Sequence, residues 1–410
     1  MALKNSYYER LAGGYLFPEI ARRTKEFQVF HPEVKIMRLG IGNTTEPLPQ
    51  IVASAMALEA VRLMNVETYS GYGDEQGNSK LRQALSERYK KCFGVRLDAD
   101  EFFISDGSKC DCANISSIFS HESIIAVESP AYPVYVDSNV TSGKTGQFNK
   151  GKMQYEGVYY MPCTEMNDFF PEVPSGHVDL IYLCRPNNPT GAVAMASDLQ
   201  PFVDYALEHK AVIIYDVAYV DYQKERGLVE SIYQIPGAEK CAIEIGSFSK
   251  WAGFTGVRLG WSIVPKELVV EDTVPGELHR MWSRRYTTVF NGASNIAQAG
   301  GLAVLSELGQ QSCQEVINYY MSNARLIKNG LYDMGLTVYG GTNAPYIWLK
   351  VPDGMSSWNF FDKLLNETNV VCTPGVGFGP DGEGFCRLSA FGHQENITEA
   401  IESIRMNLRI

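Results

Sequence analysis

Four apolar runs, SIIAVESP, DLIYLCRP, AVIIYDVAY and CAIEIGSFS, fall between residues 123 and 249, and each breaks off in polar, Gly or Pro residues. Runs of this kind read as strands buried on both faces, and the segments between them are long enough for helices. One such segment, SDLQPFVDYALEHK, carries helical periodicity directly ahead of AVIIYD. Strand–helix–strand alternation predicts an α/β layer with a mainly parallel sheet.

From about Asn291 the texture changes to longer amphipathic stretches and then to the short runs LTVYG, APYIWLK and FCRLSA, which predict a smaller α+β domain. A chain of 410 residues is long for a single core. The expected division is an N-terminal arm and part of the small domain over 1–47, a large domain over 48–294, and a C-terminal small domain over 295–410.

Composition narrows the function classes. Hydrophobic residues make up 45% and charged residues 20% of the chain, values that exclude disordered and fibrous proteins. A net charge of -11 argues against a nucleic-acid surface. The nine irregularly spaced cysteines read as reduced thiols. Cys110 and Cys112 form an isolated C-x-C without a second ligand pair, so no metal is expected. With no leader pattern and no bilayer-length apolar run, the expectation is a cytoplasmic protein.

In open α/β sheets ligands gather at the carboxyl ends of the strands. There stand Arg185 to Gly191 (RPNNPTG), Asp216 with Tyr219, and Ser247 to Lys250. A carboxylate closing so apolar a strand as AVIIYD needs a cationic partner or good hydrogen bonds, and a helix cap or a structural salt bridge would serve equally. Lys250 closes a neighbouring run. A bare ion pair explains the two charges; so does a cofactor bound covalently by the lysine and protonated on a ring nitrogen opposite the aspartate. Pyridoxal phosphate meets both demands.

A phosphorylated cofactor needs an anion site, and three pieces suit one. SDGSK (Ser105 to Lys109) offers backbone amides and Ser108 at a strand-to-helix turn, Ser247 and Ser249 offer hydroxyls, and Arg258 offers a planar charged fork. Asn188 and Tyr219 have the donors that a phenolic ring oxygen requires.

Taken in order, Tyr72-x4-Gly77-x3-Leu81-Arg82, Gly107-Ser108, Asn188-Pro189-Thr190-Gly191, Asp216-x2-Tyr219, Ser247-x-Ser249-Lys250, Arg258 and Arg387 resemble the fold-type I pyridoxal-phosphate-dependent aminotransferases over nearly the whole chain. The resemblance implies that Lys250 bonds to the cofactor and shuttles the substrate proton, that Asp216 keeps the ring nitrogen protonated, and that Tyr132, in SPAYP, stacks on the ring. It implies that Arg387 grips the substrate α-carboxylate and that Tyr72 reaches the cofactor phosphate of a neighbouring subunit, hence a homodimer with shared sites. Amino acids and 2-oxo acids are the implied substrates.

The stretches NSYYERLAGGYLFPEIARRTKEF, RLGIGNTTEPLP, GYGDEQGNSKLR, ISDGSKCD and RPNNPTGAVA are similar to one subgroup, which acts on LL-diaminopimelate and 2-oxoglutarate in the lysine synthesis of bacteria and plants. That likeness implies Glu75 of a partner subunit for the distal ammonium. Tyr15, Gly42, Lys109 and Asn291 would surround the distal carboxylate, and Lys109 would also face the cofactor. Tyr132 and Asn188 would touch substrate as well. Other readings are an aminotransferase of the same fold for aspartate, aromatic or branched amino acids, and a carbon–sulfur lyase.

Overall fold

The computed structural model describes residues 1–12 and 16–409. Seven strands build the larger sheet: β1 (Phe102–Ser105), β2 (Ile125–Ser129), β3 (Val158–Pro162), β4 (Leu180–Cys184), β5 (Val212–Asp216), β6 (Ala242–Ser247) and β7 (Gly260–Ile263). Their order across the sheet is β1-β7-β6-β5-β4-β2-β3. β2 through β6 pair in parallel, whereas β7 runs antiparallel to both β1 and β6. All but β3 are buried along their whole length, which is what continuous Ile, Val, Leu and Phe runs require when both faces are covered. The helix at Ala196–His209 falls where the periodicity placed it.

The reversal of β7 positions the site. Gly260, its first residue, lies opposite both Ser105 and Ser247, the last residues of β1 and β6. The loop leading into β7 therefore meets the carboxyl ends of its neighbours, and Arg258 rides on that loop.

A second sheet contains β8 (Val338–Gly340), β9 (Tyr346–Lys350), β10 (Thr373–Pro374) and β11 (Phe385–Ser389), antiparallel in the order β8-β9-β11-β10. The helices Glu307–Tyr332 and Ser357–Thr368 pack against it, and Gln394–Asn407 packs on those two helices. Residues 37–38 pair in parallel with 370–371, and the Ser389 amide donates to the Leu39 carbonyl. These bonds carry the following loop, Gly40 to Gly42, from the N-terminal part of the chain to the end of β11. No helix among the described residues is long and apolar enough to cross a membrane.

Candidate active site

A cavity of about 480 Å³ opens where the carboxyl ends of β1, β4, β5 and β6 meet β9, β11 and the 40–42 loop. Lys250, three residues beyond β6, enters it and donates from Nζ to the carbonyl of Gly42. Burial, reinforced by Arg387 and Arg258 and only partly opposed by Asp216, brings its ammonium down from 10.5 to about 7. The amine is thus poised between nucleophile and acid at neutral pH.

Asp216 ends β5 and is buried. Burial raises its carboxyl pKa, and three donors work against that rise: the Tyr135 hydroxyl at 2.7 Å, the Ala218 amide at 3.0 Å and the Cys112 thiol at 3.6 Å. Hydrogen bonds rather than a cation satisfy this carboxylate, because Lys250 directs its ammonium to Gly42 instead. The sequence-level alternatives of a bare ion pair and a helix cap do not describe it.

The anion cradle forms at the β1, β6 and β7 junction. Arg258 adopts left-handed backbone with φ 69°, and its Nη1 donates to Ser249 Oγ at 3.3 Å and to the Thr255 carbonyl at 3.2 Å. Ser247 Oγ accepts from the Ser249 amide at 3.0 Å. Gly107 has φ 121°, and a Cβ there would stand 2.3 Å from Arg258 Nη2, so only glycine admits the guanidinium to this corner. Ser108 and Lys109, on the adjoining helix turn, also line the cavity.

At the opposite wall Arg387, on β11, is 2% exposed. Its Nη1 donates to Asn188 Oδ1 at 2.6 Å and its Nη2 to the Gly40 carbonyl at 2.8 Å, while among the described residues its Nε has no hydrogen-bond partner. A buried guanidinium edge left open in this way calls for an anionic acceptor. Tyr132 is half-buried on the same cavity wall, and the Tyr219 hydroxyl meets that of Tyr346 at 2.9 Å.

The cavity therefore gathers twelve of the residues singled out from sequence, Gly42, Ser108, Lys109, Tyr132, Asn188, Asp216, Tyr219, Ser247, Ser249, Lys250, Arg258 and Arg387. Tyr72, Glu75 and Asn291 lie outside it; Tyr72 is 89% exposed. Tyr15 lies outside the described residues. Sequence reasoning passed over Tyr135 and Tyr346, and it noted Cys112 only as part of an isolated C-x-C. The first stands three residues after Tyr132 in SPAYPVY, which is the helical spacing that could have flagged it.

Chemically, the arrangement joins a buried amine, a shielded carboxylate and two separated guanidinium groups, the equipment for holding a phosphorylated aromatic aldehyde and a carboxylate substrate side by side. Comparison with known proteins identifies the family. The family model described as aminotransferase class I and II matches residues 34–404. The chain is 49% identical over 411 residues to a protein of Parabacteroides distasonis named LL-diaminopimelate aminotransferase, covering 100% of both. It is similar to the structure of L,L-diaminopimelate aminotransferase from Chlamydomonas reinhardtii with a TM-score of 0.93 at 48% identity, over 98% of each chain. A mutant Thermus thermophilus aspartate aminotransferase shares the fold, with a TM-score of 0.83 at 20% identity, over 98% of this chain and 99% of that one. On its motifs, its site and these likenesses, the chain belongs to the class I and II aminotransferases.

Proposed function

We propose that this enzyme transfers an amino group between LL-2,6-diaminopimelate and 2-oxoglutarate, giving tetrahydrodipicolinate and glutamate in lysine biosynthesis, with pyridoxal phosphate as its cofactor. The observation that carries the reading is the shared cavity of Lys250, brought to about 7, with Arg258 in a glycine-walled cradle and Arg387 with an open Nε. The names of the two relatives at 49% and 48% identity support the substrate.

Bound pyridoxal phosphate would supply an aldehyde and an electron-withdrawing ring that make an amino acid's Cα–H acidic. The chain's residues would do the rest. Arg258, Ser108, Ser247 and Ser249 would hold the phosphate, with charge and hydroxyls converging on one corner. Asp216, kept from solvent and anchored by Tyr135, would hold a proton on the ring nitrogen. Asn188 and Tyr219 would donate to the ring oxygen, and Tyr132 would cover the ring face. Arg387 would fix the α-carboxylate, so that the Cα–H faces Lys250, which takes the proton as a neutral amine and returns it as an ammonium. Lys109 gives the cavity a further cation for a distal carboxylate.

The working unit we propose is a homodimer. Tyr72, Glu75 and Asn291 stand outside this chain's own cavity, and Met64 and Val66, a few residues before Tyr72 in the chain, are 81% and 97% exposed. A second copy would cover those apolar side chains and bring the partner subunit's Tyr72 and the partner subunit's Glu75 to the site.

Mixing the holoenzyme with single amino donors tests the reading. LL-diaminopimelate should bleach the cofactor's long-wavelength absorbance and release a 2-oxo product far faster than aspartate, phenylalanine or leucine. Conversion by one of those three with LL-diaminopimelate inert would overturn the substrate assignment. Release of pyruvate and ammonia from an added β-thio amino acid such as cysteine would turn the reading to a lyase.

A further inference from the structure

Tyr346 carries neither a sequence motif nor a role in the reading above, yet it touches three of the cavity's groups at once. It opens β9, and the pairing of Trp348 with Arg387 sets it diagonal to Arg387 on one face of the sheet. The Arg387 guanidinium carbon stands 4.3 Å from the centre of the Tyr346 ring. The hydroxyl meets the Tyr219 hydroxyl at 2.9 Å, and the two rings pack edge to face with centroids 5.1 Å apart. A Cβ on Gly42 would lie 2.4 Å from that same hydroxyl, so the loop whose carbonyl receives Lys250 closes on Tyr346 at van der Waals range. Tyr346 itself is 1% exposed.

We propose that Tyr346 is the positioning residue that ties the two ends of the site together, its hydroxyl ordering Tyr219 and its ring face ordering Arg387. The hydroxyl argument is one of proton count. Tyr219 has a single proton. When that proton goes to an anionic ring oxygen, the Tyr219 oxygen is left with lone pairs only, and the Tyr346 hydroxyl is the neighbour in contact able to donate to them. Two phenols in series make a stronger donor than one, since each bond polarises the next.

The ring argument is one of desolvation. With Nη1 and Nη2 engaged by Asn188 and Gly40, the guanidinium sheds further water over the two rings it lies against, Tyr346 at 4.3 Å and Phe378 at 4.9 Å from its carbon. An aromatic face replaces that hydration and restrains the plane of the fork without consuming a donor. The open Nε is then aimed by the ring, not by a hydrogen bond.

The inference rests on the aminotransferase reading and is tested by splitting the two roles. Tyr346→Phe keeps the ring and deletes the hydroxyl; Tyr346→Leu deletes both. In the holoenzyme, the pH midpoint of the bound cofactor's visible absorbance should move by about half a unit in Tyr346→Phe, in the same direction as Tyr219→Phe and by less. KM for glutamate should stay within about two-fold in Tyr346→Phe and rise roughly ten-fold in Tyr346→Leu. A Tyr346→Phe midpoint identical to wild type overturns the hydroxyl role, and equal KM values for the two variants overturn the ring role. A structural tyrosine would lower Tm in both variants without separating midpoint from KM. Absence of a cofactor band in the wild-type protein would sink the aminotransferase reading instead, which keeps the two failures distinct.

Discussion

Gly107 leaves empty the position that the Arg258 guanidinium approaches: a methyl group there would come within 2.3 Å of Nη2. Gly107→Ala should therefore push Arg258 out of its corner and strain the φ of 121° as well. Cofactor retention through gel filtration should fall, with the dissociation constant rising roughly 10- to 100-fold. Arg258→Ala should weaken retention similarly. Because the two residues act through one contact, the double variant should be little worse than Arg258→Ala alone.

Lys250 is the residue on which the proposed reaction would depend. Replacing it with Ala should lower transamination by about 10⁴-fold or more and abolish the absorbance of the covalently held cofactor, with circular dichroism unchanged.

Its lowered pKa makes a second, separable prediction for the ligand-free protein. The unfolded chain keeps the Lys250 proton up to 10.5, whereas the folded chain gives it up near 7. Between those values the unfolded state binds more protons, so this group makes stability rise with pH by about 1.4 kcal/mol per unit at most. Lys250→Met should flatten that slope in denaturant titrations. Acylation of Lys250, followed by mass spectrometry, should have its midpoint near 7, below that of the exposed lysines.

Tyr135→Phe removes the 2.7 Å donor from Asp216 and pushes an already raised carboxyl pKa further up. A raised carboxylate pKa means that the folded state holds the proton above the usual range for aspartate, so its stabilising share is lost as pH climbs. The destabilisation by Tyr135→Phe, about 1–3 kcal/mol, should accordingly be larger at a pH above that raised pKa than at one below it. Equal penalties at both pH values would contradict this assignment.

Arg387→Lys keeps the charge and loses the fork. The kcat/KM for amino donors should drop by about 10²-fold while cofactor retention is unchanged, since Arg387 lies across the cavity from the anion cradle.

What could be read from sequence and what could not divide along a physical line. β2, β4, β5 and β6 are legible because strands covered on both faces are mostly apolar, buried Glu128 and Glu244 notwithstanding, and Asp216, Asn188 and Lys250 are legible because a charge or amide at the end of such a run stands out. β3, at the sheet edge, has a mixed burial pattern and no such run. β7 spans four residues and begins at a glycine, and nothing local signals that it runs backwards. Tyr135, Cys112 and Tyr346 sit inside ordinary helical or strand patterns, so their contacts exist only through register and packing between distant segments. Tyr72, Glu75 and Asn291 were named by resemblance alone, and within one chain they do not converge on the cavity.

The backward strand has a consequence for how the protein comes to life. β7 bridges β1 and β6, so the anion corner exists only after the first and last strands of the sheet have found each other. Contacts of such long sequence separation form late and slowly. A nascent chain thus has no place for the cofactor until its sheet is zipped shut, and whatever binds that corner holds the seam closed in proportion to its affinity. Supply of the proposed cofactor would then govern how much of the protein survives as well as how fast it works.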